Sequence, residues 1–191
     1  MTALPHEAHV AALASLDGVG PGRLRWLLSL GSPGEVFRRV GEGRLGAAPP
    51  VLRVDAAVRA GWQREAAQLD PAAVWERCIR LGVGVVTLGS ASYPPALAGD
   101  SDPPVVLFHR GDPAALGAPR VAIIGTRRAT GYGLRVAERL GRELAGAGVS
   151  VVSGLALGID AAAHRGATSV PGGAPPVAVV GGGLDDPCPA R

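Results

Sequence analysis

The sequence predicts an α/β protein: a Rossmann-like parallel sheet, incomplete within these residues, preceded by a small all-helical domain. Three observations carry that expectation. From Arg120 onward, the short apolar runs VAIIG, VSVVSG and PVAVVGGG alternate with the helical stretches TGYGLRVAERLGRELAGAG and GIDAAAHRGAT. Apolar strands separated by helices of that length imply βαβ units. Ahead of residue 70, Val10, Leu13, Leu16 and then Leu24, Leu27 and Leu28 recur at helical spacing. Finally, 191 residues that are 47% hydrophobic can build one medium domain or two small ones. The texture changes near residue 70, which divides the chain into a helical part, 1–69, and a partial Rossmann-like part, 70–191.

Each element has its own local reason. In LDGVGPGRL, Gly18, Gly20 and Gly22 interrupt the helical pattern and Pro21 can open a new helix. A helix, a GVG turn and a second helix outline a helix-hairpin-helix unit, whose turn amides can hold a DNA phosphate. A plain glycine turn within a helical bundle fits the same residues equally well. GEGRLGAAPP reads as a loop, and Asp55 starts another helix through Trp62 and Ala66. Asp70-Pro71 is a strong start signal, an N-cap acid followed by proline in the first helical position. That helix, PAAVWERCIRL, ends at Gly82, and β-rich runs follow in VGVVTLG, SYPPAL and PPVVLFHRG. VAIIG reads as a short buried strand. The next helix turns Leu134, Ala137, Leu140 and Leu144 toward a core, and Gly146 and Gly148 end it. The PGG at 171–173 reads as a helix-ending loop.

Composition narrows the function classes. The net charge is +3, and all 19 basic residues are arginine. Arginine presents planar forked donors suited to phosphate, and a basic balance permits nucleic-acid binding without demanding it. Aromatics make up 4%, so Ala, Val and Leu must fill the core. Cys78 and Cys188 lie far apart without metal-ligand spacing, which predicts reduced thiols. MTALPHEAHV has no secretory pattern, and no apolar run reaches bilayer length. The expectation is a soluble cytoplasmic protein without a metal or cofactor. Catalytic equipment is thin: GxGxxG is absent, and a phosphate loop with its lysine is impossible in a chain without lysine. Asp185 and Asp186 are adjacent, so their side chains need not point the same way.

In open parallel sheets ligands bind beyond the carboxyl ends of the strands. That rule points to three loops, GTRRATG, SGLALG and GGGLDD. The first offers Gly125, Thr126, Arg127 and Arg128, with Thr130 as an N-cap for the helix behind them. The second offers Ser153, Gly154 and Gly158 before another helix start, and glycine lets the backbone approach a bulky anion. Together they describe a polyanion site of amides and guanidinium groups. Arg127 and Arg128 could instead be a solvated pair, but their place at the ligand end of a strand argues for binding. Asp160 reads as a first-turn acid favouring the helix dipole, and His164, one turn later, as a packed histidine rather than a catalytic one. Tyr132 could stack on a base or close the helix start.

These stretches resemble the bacterial DNA-processing protein A (DprA/Smf) family. LGVGVVTLGSASYPPALAGDSDPPVVLFHRGD is similar to the segment that leads into the family's sheet, and VAIIGTRRATGYG to its first Rossmann strand and loop. VVSGLALGIDAAAHRGA is the most specific match, VAVVGGGLD resembles the third strand, and the GVGPG part is similar to the small N-terminal domain of many members. The resemblance implies a recombination mediator and not an enzyme. Such a protein binds single-stranded DNA, protects it and helps load the RecA recombinase in natural transformation, acting as a homodimer. By motif position, Gly125, Thr126, Arg127 and Arg128 would contact backbone phosphates. Ser153, Gly154, Leu155 and Ala156 would line the same pocket, and Gly158 would let the helix come close. The alternative from another class is a Rossmann-fold nucleotide-processing enzyme, phosphoribohydrolase-like, with Asp160 as its activating acid. One departure stands out: the sequence stops at Arg191 after three strands of the parallel core, and DDPCPAR places Cys188 where tyrosine is typical. That suggests a fragment, or a truncated or frame-disrupted product, and predicts an apolar edge and uncovered sheet faces.

Overall fold

The computed structural model describes residues 4–117 and 119–184, so the expectations for Asp185, Asp186 and Cys188 lie outside it. The chain forms two compact units, one of residues up to Tyr93 with Leu97–Arg110, the other of Pro94–Ala96 with the residues from Gly111 on.

The first unit is helical with one hairpin. Helices α1 (His6–Ala14), α2 (Pro21–Leu28), α3 (Pro33–Gly41), α4 (Ala56–Gln68) and α5 (Pro71–Arg80) precede β1 (Gly84–Thr87), which pairs antiparallel with β2 (Val106–His109). Three starts are capped as the sequence dictates. Ser32 accepts from the Glu35 amide at 3.4 Å, Asp55 from Val58 at 2.9 Å and Asp70 from Ala72 at 2.9 Å. Each such cap is worth about 1 kcal/mol. Leu13, Leu16, Leu24, Leu27, Val36, Phe37, Val40 and Trp62 form the core.

This unit extends past residue 70, where the sequence texture changes. Helix α1 buries Ala8, Val10, Ala11, Ala12 and Leu13, so it is covered nearly all round. Helix α5 and strand β1 supply part of that cover, and Leu69, Val74, Val105 and Val106 pack against the same core. SYPPAL is not a strand. It forms a turn and the one-turn helix α6 (Pro95–Ala98), because adjacent prolines cannot donate to a ladder. Tyr93 is buried there, its hydroxyl donating to the Pro104 carbonyl at 2.7 Å.

The GVG turn is tied into the helical unit. The Val19 amide donates to Leu16 O and the Gly20 amide to Gly18 O, both at 3.0 Å. The Arg23 guanidinium donates to the carbonyls of Gly18, Leu52 and Arg53 at 2.8–2.9 Å and lies 5.8 Å from the Trp62 ring centre. Trp62 in turn donates to Asp17 O at 2.8 Å. The carbonyls of Asp17 and Gly18 are thereby used in latching the turn to the bundle.

The second unit is the parallel one. Strands β3 (Arg120–Ala122), β4 (Ser150–Ser153) and β5 (Val177–Ala178) lie in the order β3-β4-β5, with helix α7 (Gly131–Gly146) after β3 and α8 (Ile159–Thr168) after β4. Val121 stands opposite Val151, and Val152 opposite Val177. This is the Rossmann-like βαβαβ arrangement read from the sequence. Helices α7 and α8 meet through their smallest residues: a Cβ on Gly141 would land on the Ala163 carbonyl, and one on Gly166 on the Glu138 carbonyl.

Two sequence expectations fail here, for one reason each. Leu140 does not face the core and is 45% exposed; Ala137, Gly141 and Ala145 form the buried face, because α8 comes too close for leucine. VAIIG is not buried: all three β3 residues are exposed, and Ile124, just past the strand, is 76% exposed. Val151 and Ile123 pack beneath the helices. By register, Ala122, Val152 and Val177 share the opposite face, where Val152 and Val177 are half-buried and Ala122 is exposed. Strand β3 is also an edge strand among the described residues.

Candidate nucleic-acid interface

Parallel pairing of β3 with β4 brings their following loops, 123–130 and 154–158, side by side at one rim of the sheet. Thr130 ends the first loop by capping α7, accepting from the Gly133 amide at 3.2 Å. Gly158 ends the second, with φ +88°. The loops touch directly. The Ile159 amide donates to Thr126 O at 3.3 Å, and a Cβ on Gly158 would lie 2.8 Å from Arg127 O. A Cβ on Gly125 would lie 2.7 Å from the Ile159 side chain. Glycine at 125 and 158 is what lets the two loops close on each other. Arg127 and the Ser153–Gly154 turn thus belong to one rim.

Asp160 holds the rim together. It is 5% exposed, and its Oδ1 accepts from the Gly125 amide at 3.2 Å while Oδ2 accepts from the Gly154 amide at 3.1 Å. Reading it as a first-turn acid near a helix dipole misses this, because Gly125 lies far away in sequence; the only local signal is an acid directly behind Gly158-Ile159. Ser153 is a second tie. It is 3% exposed, and its hydroxyl donates to Ile123 O at 2.6 Å, across to the neighbouring strand.

The predicted residues therefore divide by role. The polar groups of Gly125, Ser153 and Gly154 are engaged inside the protein. Among the described residues, the amides of Thr126, Arg127, Leu155 and Ala156 have no hydrogen-bond acceptor. The Arg128 amide donates to Thr126 Oγ1 at 3.1 Å, tightening the first loop. Leu155 has φ +57°, a left-handed conformation that costs a non-glycine residue free energy and is found disproportionately at binding turns. Arg127 and Arg128 are exposed and have no carboxylate partner among the described residues. Tyr132 stands 73% exposed at the first turn of α7. Unpaired amides and unpaired guanidinium groups thus share these two adjoining loops, and such groups attract phosphate.

Asp160 and His164 are not joined to each other. Both Asp160 oxygens are occupied by amides, and His164 Nε2 is buried without a partner, so the two do not form an acid–base pair. Among the described residues no group of His, Cys, Asp and Glu could hold a metal ion, and no helix is long and apolar enough to cross a membrane.

Residues 84–191 match the family model for DNA recombination-mediator protein A. The DNA processing protein DprA of Bacillus subtilis is 38% identical over 104 residues, which is 54% of this chain and 34% of that protein. Protein Smf of Escherichia coli is 38% identical over 107 residues, 56% of this chain and 28% of its own length. The crystal structure of DNA processing protein A from Streptococcus pneumoniae superposes on 97% of this chain and 60% of that one, with 26% identity and a TM-score of 0.64. The matched part thus spans about a third or less of the two curated relatives. Because the family model covers more than half of its residues, and that stretch contains both rim loops, the chain belongs to the DNA recombination-mediator protein A family.

Proposed function

We propose that this chain is the strand-gripping part of a recombination mediator, holding single-stranded DNA by its sugar-phosphate backbone at the β3–β4 rim. The observation that carries this is the set of four unpartnered amides, at Thr126, Arg127, Leu155 and Ala156, beside the unpaired Arg127 and Arg128. Main-chain donors and guanidinium groups read phosphates and leave the bases unread, so binding is sequence-tolerant and salt-dependent. Protection of the strand follows from occupying its backbone. Loading of RecA during natural transformation, homodimer formation and a cytoplasmic site of action are part of the same proposal, on the strength of family membership. The protein works by binding, without turnover.

The test is titration of labelled oligo(dT) by fluorescence anisotropy at several salt concentrations. Saturable binding should weaken with salt, with a log–log slope of about −0.7 for each phosphate contacted. Absence of saturable binding at low salt would refute the reading. Incubation with nucleoside monophosphates addresses turnover, and release of free base would favour the enzyme alternative.

A further inference from the structure

We infer that Asp160 is a built-in stand-in for a phosphate, which makes the rim reject terminal phosphate monoesters while accepting the internal phosphodiesters of a strand. This rests on the strand-gripping reading and deepens it by naming the substrate class.

In a Rossmann-like sheet, the first loop and the next helix start form an anion seat, because their amides point at one spot. Here two amides beside it, at the ends of the neighbouring strands, are already taken by the Asp160 carboxyl group. One carboxylate oxygen takes the Gly125 amide at 3.2 Å, and the other takes the Gly154 amide at 3.1 Å, from the two neighbouring loops. The group is 5% exposed, and no arginine among the described residues pairs with it. The space beside these two amides is also tight. A Cβ on Gly154 would sit 3.2 Å from Asp160 Oδ2, and the space by Gly125 is taken by Ile159.

A terminal phosphate carries up to two charges and needs a deep seat with several convergent donors to be held on its own. At this rim it would meet a buried carboxylate in that place. The donors left over, on Thr126, Arg127, Leu155 and Ala156, lie on the loops outside the Asp160 clamp. They suit a phosphodiester that passes over the rim while its neighbours bind elsewhere along the strand. Asp160 thereby serves as a specificity-determining residue, keeping abundant mononucleotides from competing with DNA.

The experiment compares dTMP, thymidine and oligo(dT) on the wild-type chain and on Asp160→Asn and Asp160→Ser. On wild type, dTMP should compete with labelled oligo(dT) no better than thymidine. In either variant the ratio of dTMP affinity to oligo(dT) affinity should rise by about tenfold or more, the scale of one charge-assisted hydrogen bond gained. A purely structural role would lower both affinities and leave the ratio unmoved, which would overturn the inference. Wild-type competition by dTMP well beyond thymidine would overturn it too, whether or not the variants fold. Failure of the wild type to bind oligo(dT) sinks the strand-gripping reading instead. The exclusion claim is then decided by direct dTMP titration of the variants, where no gain over wild type refutes it.

Discussion

Gly158 and Thr126 lie in van der Waals overlap distance for any side chain: a Cβ at 158 would collide with the Thr126 carbonyl oxygen. Gly158 also holds φ +88° and ψ −125°, a region open in practice to glycine alone. Gly158→Ala should therefore cost at least about 2 kcal/mol, combining backbone strain and overpacking. It should also part the two loops and weaken oligo(dT) binding. Thermal melting with parallel anisotropy titrations checks both effects, and unchanged melting would show that the loops do not pack as described.

Arg127 is exposed on the rim without a carboxylate partner among the described residues. Replacing it with alanine should leave the melting temperature nearly unchanged and weaken oligo(dT) binding by about 1.5–3 kcal/mol, the range for hydrogen bonds to charged groups. The salt slope should become shallower by about 0.7. Wild-type affinity in this variant would remove Arg127 from the interface.

Gly166 packs α8 against the Glu138 carbonyl of α7 with no space for a methyl group. Gly166→Ala gains in helix propensity but must push the helices apart, for a net loss of about 1–3 kcal/mol. Urea unfolding of the variant measures it. A stabilised variant would mean the helices can separate freely.

Tyr93 links stability to alkaline pH. Burial pushes its phenol above the ordinary value, opposed by Arg25 and assisted by Asp100. The folded state thus favours the neutral form that donates to Pro104 O. Its contribution is present in full below the unfolded tyrosine's titration, near pH 10, and is lost as pH rises through the raised folded value. Tyr93→Phe should cost about 1 kcal/mol at neutral pH and flatten the loss of stability above about pH 10. Urea midpoints across that range provide the check.

What the sequence announces best is local. Asp55, Asp70 and Thr130 cap the helices they precede, and the β–loop–helix order after Arg120 is in place. What it hides is set at long range. Nothing in the periodicity around Leu140 says that α8 approaches within glycine distance at Gly141, and nothing in VAIIG says that Val121 and Ala122 are exposed. The same holds at the site. Thr126 and Arg127 could be picked out from their place after a strand, whereas the Asp160 clamp depends on two amides in separate loops. Ser153, a pocket-lining residue by motif, spends its hydroxyl on the Ile123 carbonyl just past the neighbouring strand.

Four of the rim's proposed donors are peptide N–H groups, at Thr126, Arg127, Leu155 and Ala156. A grip made of backbone travels with the loop's path and is indifferent to the side chain attached. Saturation mutagenesis at Ala156 should consequently find wide tolerance for DNA binding, while the glycines that shape the path, 125 and 158, admit almost no replacement.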